Sequence, residues 1–508
     1  MKKMKNFFKN YKHLKNYFVI FLGLLAFAPF FVRADDLGQS KNFLVEPDYS
    51  DFKTAKVNAT LARASDKLYF YIDSAWLNSK TDKEKESIYF TLNNLGKEFD
   101  TIIYPQLTSI YGHEAIPGID KDTRITALLY PMKENARGYV RTIDEYDKTV
   151  NPLSNQREMV YLNVDNLTNP LMKAFLAHEF MHLISFNQKN LTYGVSDDVW
   201  LTEARSEYAP ALLGYDLDSG SGYLNNRLKT FIDNPSDSLT EWNNTSIDYG
   251  IVNIFTHYLV DQYGLSILVD SLKSKQTGIA SLNYALAKSG SKDTFDDAFT
   301  NFTIAVYLND CNFSSKYCFK NSDGLKDLRI LPYSNFLPFT GASNLSLGQN
   351  IKNYSAQWQK FSGSAGNLKI VFKAPAGIKV RVPYIVKNVS GSYTVDFFNL
   401  DSNNSGELII SDINTQVASV ILIPSIQIKD AKSQSAEYNY SITVTSFINN
   451  GNQDQSGNNN QNNSNTSNIK LPFSISKPLD QMNREELLTV LLRLLIYILL
   501  QGKPIPLT

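Results

Sequence analysis

The sequence predicts an α+β protein whose character changes twice along the chain. Strand-like alternation mixes with a long helical period between Lys67 and Leu162. Apolar spacing is helical from Asn169 to about residue 308. Short strand-like runs separated by turn residues then follow from about Ser343. At 508 residues the chain is too long for one ordinary domain, and two or three compact units are expected.

Residues 1–34 stand apart from any core. Met1 to Asn16 carries six lysines and no acid, Tyr17 to Val32 is apolar, and Val32-Arg33-Ala34 supplies small residues before a cut at Ala34/Asp35. This is the layout of a secretory signal peptide. Its removal takes seven of the 50 basic residues and none of the 50 acidic ones, leaving 43 against 50, a net −7. A mildly acidic chain without basic clusters is a poor binder of nucleic acid.

Residues 35–64 are polar and patternless, an N-terminal arm or a propeptide. In 65–342, strands are expected at Lys67–Ile72, Arg124–Tyr130, Arg137–Val140 and Glu158–Leu162. Asp82 to Tyr111 places Ile88, Leu92, Leu95, Phe99, Ile102 and Ile103 on one helical face. Asn169-Pro170 starts a helical series near 170–187, 200–213, 249–263, 265–274 and 292–308. In 343–447 the strand-like runs are 368–372, 379–382, 393–398, 407–410, 418–423 and 438–444, the spacing of a β-sandwich.

The Asn, Ser and Gln-rich stretch 448–470 reads as a linker. In 471–508, Asn483 to Glu486 forms a capping box before an apolar run that ends at Leu500. That run is too short to cross a bilayer and contains Arg493, so a helix for self-association or envelope contact is expected. Cys311 and Cys318 are the two cysteines; in an exported chain they are expected to close a small loop as a disulfide.

The chemistry centres on Ala177-His178-Glu179-Phe180-Met181-His182. Residues four apart share a helix face, so both imidazoles can grip one zinc ion, with the Glu179 carboxylate beside them to take a proton from water. With five histidines in the chain, such spacing is rare by chance. Ser185 and Gln188 occupy the positions where a metzincin would carry Gly and His. A third ligand must therefore come from elsewhere, and Glu203 in Trp200 to Tyr208 supplies it from a following helix. Glu207, one turn further on, can accept the second ring N–H of a zinc histidine.

These segments resemble the gluzincin metallopeptidases, and in detail the hyicolysin-type neutral metallopeptidases. The likeness extends over most of 67–445 and includes Pro117 to Thr126, Arg157 to Asn163, the zinc helix, Trp200 to Tyr208 and Phe295 to Phe299. It departs from the usual Asn-Glu-Gly at Thr202-Glu203-Ala204. The resemblance implies a thermolysin-like two-lobed zincin catalytic domain with zinc between the lobes, followed by the β-sandwich and the C-terminal helix. It also implies that Arg137 to Val140, with Gly138 and Tyr139, is the edge strand along which a peptide pairs. A donor should face the carbonyl oxygen as charge develops there. Tyr249 is the candidate because related enzymes place a tyrosine or histidine in this region, and His257 competes with it. Calcium at the Asp120–Asp122 turn is weakly supported, since acids there usually cap the backbone.

The expected function is a secreted or cell-surface zinc endopeptidase acting on protein or peptide substrates. A non-catalytic adhesin on a peptidase scaffold is one alternative. A zinc aminopeptidase is another, although the Gly-x-Met-Glu-Asn element that would anchor a free amine is not in the sequence.

Overall fold

The structure is a computed structural model and describes residues 35–217, 222–338, 342–364, 366–429, 436–447 and 491–492. The expected signal peptide and linker, and all of the expected C-terminal helix except two residues, lie outside these. Of the unit Asn450–Thr508, only Leu491 and Leu492 are described, and both are helical. No helix among the described residues is long and apolar enough to cross a membrane.

The unit ending at Asn449 contains both sheets and helices, an α+β arrangement. Its first sheet contains β1 (Ser40–Leu44), β2 (Lys56–Ala64), β3 (Leu68–Asp73), β4 (Ile125–Tyr130), β5 (Gly138–Val140) and β6 (Met159–Asn163), in the order β1-β2-β3-β4-β6-β5. The centre β3-β4-β6 is parallel and covered on both faces, which is why β4 reads Ile-Thr-Ala-Leu-Leu-Tyr without a polar face. Phe70, Ala127, Leu129 and Val160 face the helices, while Tyr71, Leu128, Tyr130 and Tyr161 fill a second, tyrosine-rich core. β5 pairs antiparallel with β6 alone and forms the sheet edge.

Residues 35–64 are not patternless, because they build β1 and β2. Val57, Ala59 and Leu61 alternate inward along β2. Arg141 fastens this segment to the rest of the sheet through Leu44 O at 2.7 Å and Glu46 Oε1 at 3.0 Å.

Three helices accompany this sheet: α1 (Ser74–Asn78), α2 (Asp82–Glu98) and α3 (Tyr104–Tyr111). The helix expected over 82–111 is present along its whole length, with one wider π turn at Phe99–Ile103 between α2 and α3. Pro105 lies just past that turn and lacks the N–H that a continuous helix would use.

The helical part comprises α4 (Met172–Phe186), α5 (Val199–Leu212), α6 (Tyr223–Asp233), α7 (Ser246–Tyr263), α8 (Ser266–Leu272), α9 (Gly278–Lys288) and α10 (Phe295–Leu308). The expected helix series did not include α6 and α9. Cys311 and Cys318 are bonded, with an S–S distance of 2.04 Å.

From residue 333 to residue 447 the described residues form strands, turns and loops. A nine-stranded sheet runs from Tyr333–Leu337 to Glu437–Phe447. It includes strands at Asn344–Lys352, Gln359–Gly363 and Pro383–Asn388 that the sequence pattern did not reveal. Phe361, Val420 and Leu422 from one set of strands meet Leu368, Ile370, Phe372, Ile442 and Val444 from another across an apolar core.

This part also shares a core with the helices. Tyr354, Trp358, Ile421 and Ile423 pack with α10 residues, Trp358 Nε1 donates to Thr303 O at 2.9 Å, and Tyr354 Oη donates to buried Asp296 at 2.7 Å.

Candidate metal centre

Helix α4 is apolar almost all round, so everything on it but Lys173 and His182 is buried. A histidine pair on such a helix must face other polar groups, because an unpaired buried polar group is costly. The 3.6-residue period sets His178 and His182 one above the other, with their Nε2 atoms 3.2 Å apart.

Helix α5 packs against α4 and brings Glu203 to the same place. Its Oε2 lies 3.3 Å from His178 Nε2 and 3.5 Å from His182 Nε2. That oxygen is buried and has no hydrogen-bond partner among the protein groups. Burial alone would raise the Glu203 carboxyl, but the imidazoles of His182 and His178 hold it well below the usual carboxylate range. Two imidazole nitrogens and an orphaned carboxylate oxygen, all within 4.8 Å of one another, can hold a metal ion.

Glu207 lies one turn further along α5 and is fully buried. Its Oε1 is 3.4 Å from His178 Nδ1. Arg227 on α6 grips the carboxylate with Nε and Nη2, each at 2.8 Å, and Asn253 Nδ2 on α7 donates at 3.1 Å. Tyr223 donates to the same carboxylate at 2.5 Å, and its oxygen lies 3.2 Å from His178 Nδ1. The Arg227 fork offsets the charge that burial would otherwise penalise.

Glu179 turns toward the sheet edge. A Cβ on Gly138 would stand 2.7 Å from Glu179 Oε1 and 2.8 Å from Tyr161 O, so only glycine lets the carboxylate lie against β5. Burial pushes the Glu179 carboxyl up to about 8. The neighbouring His182 imidazole lowers it, and the neighbouring Glu203 and Glu207 raise it. Tyr139 lines the same cavity, but its ring is stacked 4.4 Å from Tyr161 and 4.5 Å from Tyr49, so β5 offers mainly backbone.

The cavity above these groups has a volume of about 560 Å³ and reaches Tyr49, Trp242, Asn244 and Tyr249. The Tyr249 ring centre is 6.3 Å from that of His178. Trp242 packs edge-on to it at 4.8 Å, and the Arg227 guanidinium lies 4.7 Å from its centroid.

His257 is not among the residues lining the cavity. Its Nε2 is 3.2 Å from Asp216 Oδ2 and its Nδ1 is 3.1 Å from Ser322 Oγ. Asp120 and Asp122 accept backbone N–H groups within their own turn, and Asp122 also accepts the Tyr69 hydroxyl at 2.8 Å.

Reading the sequence alone missed Tyr223, Arg227, Asn253, Tyr49 and Asn244. Tyr223 and Arg227 are four apart, a one-face spacing that would have marked α6. The other three carry no local signal of their position.

No protein-family model matches the chain. Of solved structures, the pre-peptidase C-terminal domain of a collagenase from Bacillus anthracis aligns at 14% identity, covering 22% of this chain and 96% of that one, with a TM-score of 0.16. The mitogen of Yersinia pseudotuberculosis aligns at 12% identity, covering 22% and 91%, also with a TM-score of 0.16. Overlaps this slight bear on neither fold nor function. In sequence the chain is similar to the neutral metalloprotease ShpI of Staphylococcus hyicus. The two are 28% identical over 279 residues, 50% of this chain and 60% of that protein's length, in keeping with the resemblance to hyicolysin-type neutral metallopeptidases.

Proposed function

We propose that this protein is a secreted zinc-dependent endopeptidase with a thermolysin-like arrangement of its cleft. His178, His182 and Glu203 hold the metal and Glu179 serves as general base. The observation that carries this reading is the spacing of the three donor atoms. Zinc bonds of about 2.0–2.2 Å at tetrahedral angles set ligand atoms about 3.3–3.6 Å apart. The separations here are 3.2, 3.3 and 3.5 Å, and Glu203 Oε2 has no other partner.

A bound zinc ion supplies Lewis acidity, lowering the pKa of water and polarising a carbonyl. The chain's own groups do the rest. Substrate backbone pairs along β5, whose Gly138 leaves Glu179 room beside the scissile bond. Glu179 takes the proton of the attacking water and delivers it to the leaving amine. Glu207 and Tyr223 hold His178 in one orientation, and Arg227 holds the Glu207 carboxylate in place through two hydrogen bonds. The Tyr249 hydroxyl donates to the oxygen on which negative charge develops. His257 is assigned no part in the reaction, since it does not line the cavity. The apolar segment in 471–508 serves self-association or envelope contact.

The test is metal analysis of the purified protein together with casein digestion, with and without a chelator. One zinc ion per chain and chelator-sensitive digestion are expected. A metal-free, inactive protein would favour the adhesin reading, and cleavage confined to peptides with a free N-terminus would favour an aminopeptidase.

A further inference from the structure

Tyr49 and Tyr249 reach the cavity from different parts of the fold. Tyr49 belongs to the segment between β1 and β2, and its ring stacks on Tyr139 of the edge strand. Tyr249 lies in the first turn of α7. One side chain joins them, because Asn244 Nδ2 donates to Tyr49 Oη at 3.1 Å while Asn244 Oδ1 accepts the Tyr249 hydroxyl at 3.3 Å.

The backbone prepares Asn244 for this. Its φ is +58°, a left-handed conformation that asparagine tolerates better than most residues. The next residue, Thr245, closes a capping box with Asp248 that fixes the start of α7. Trp242 and Arg227 hold the Tyr249 ring, but neither of them bonds its hydroxyl. The direction of that hydroxyl is therefore set by Asn244.

We propose that Asn244 is a positioning residue for the reaction, fixing where the Tyr249 phenolic oxygen stands at the cavity wall and tying it to Tyr49 on the sheet side of the cleft. This rests on the peptidase reading above. The 46–49 segment is thereby part of the working site, and the substrate lies between β5 and this bridge. In the free protein the Tyr249 hydroxyl is held by Asn244. As charge develops, the single Tyr249 proton turns from Asn244 Oδ1 to the oxyanion, a stronger acceptor than a neutral amide oxygen, while the phenolic oxygen keeps the place Asn244 gave it.

The test is a double-mutant cycle on the zinc-loaded full chain, using one N-blocked peptide. Asn244→Gly removes the amide yet fits the left-handed backbone. It is expected to lower kcat by about 10-fold, the worth of one ordinary hydrogen bond, with KM nearly unchanged. Tyr249→Phe is expected to lower kcat further, and the double variant to be no slower than Tyr249→Phe alone. Hydrogen exchange over residues 46–53 should quicken in Asn244→Gly at full zinc content. Fully additive losses, a change confined to KM, or wild-type kcat in Asn244→Gly would overturn the assignment while leaving the peptidase intact. A wild-type chain without chelator-sensitive hydrolysis would overturn the functional reading and this assignment with it.

Discussion

Helices α4 and α5 gather buried His178, Glu179 and Glu207 with half-buried Glu203, and Arg227 of α6 pairs with Glu207. Between the strands beyond residue 343 the core is closed by Phe361, Leu368, Ile370, Phe372, Val420, Leu422, Ile442 and Val444, and no charged residue is buried there among the described residues. There the charges stay at the rim, as in the half-exposed pair Lys369–Glu407 at 2.6 Å, where solvent leaves a pair little net worth. The cleft keeps charges in a low-dielectric setting, where each is tolerable only with its partner, and the strand region gains stability from volume alone. Loss of a charge should therefore damage the first region chemically, and loss of methyl groups should damage the second mechanically.

The largest expected effect is at Glu179. Glu179→Gln preserves shape and loses the proton acceptor, so kcat/KM should fall roughly 10²–10⁴-fold or more. Thermal stability should hold or rise, because a buried carboxylate is replaced by a neutral group. Steady-state kinetics beside thermal melting checks both. A variant that melted early and kept its turnover would reverse the roles assigned to the two regions.

In the strand core, Ile370 is fully buried between its neighbours. Ile370→Ala should cost about 2–5 kcal/mol of stability in urea titration. The kcat/KM per folded molecule should stay at the wild-type value. A fall in turnover at undiminished stability would show that the strand region takes part in catalysis.

Legibility in the sequence followed locality. The shared face of His178 and His182 was readable because it is set by spacing within one helix. The approach of Glu203 and Glu207 to that pair was expected because a metal held by two histidines would need another ligand and its ligand a partner. The parallel strands β3, β4 and β6 were readable as apolar runs.

What escaped was non-local. Tyr223 meets His178 across 45 residues, and Asn244 meets Tyr49 across 195. Neither pair leaves a pattern in its own neighbourhood. The miss at 35–64 was of another kind. Lys56 to Leu61 does alternate, with Val57, Ala59 and Leu61 inward, but the surrounding polar residues concealed so short a period. The helix at 82–111 was readable to its full length, but apolar spacing did not show the wider π turn at Phe99–Ile103 within it.

The central claim is that Glu203 completes the metal site from a second helix, and its most direct measurement is zinc content beside peptide hydrolysis for Glu203→Gln. An amide is a far weaker ligand than a carboxylate, and the substitution leaves the fold of α5 its full side-chain volume. The wild-type chain should retain about one zinc ion through dialysis, whereas the variant should retain well under half an ion and lose hydrolysis in proportion. Full zinc and full hydrolysis in Glu203→Gln would contradict the assignment of the third ligand and the gluzincin reading built on it.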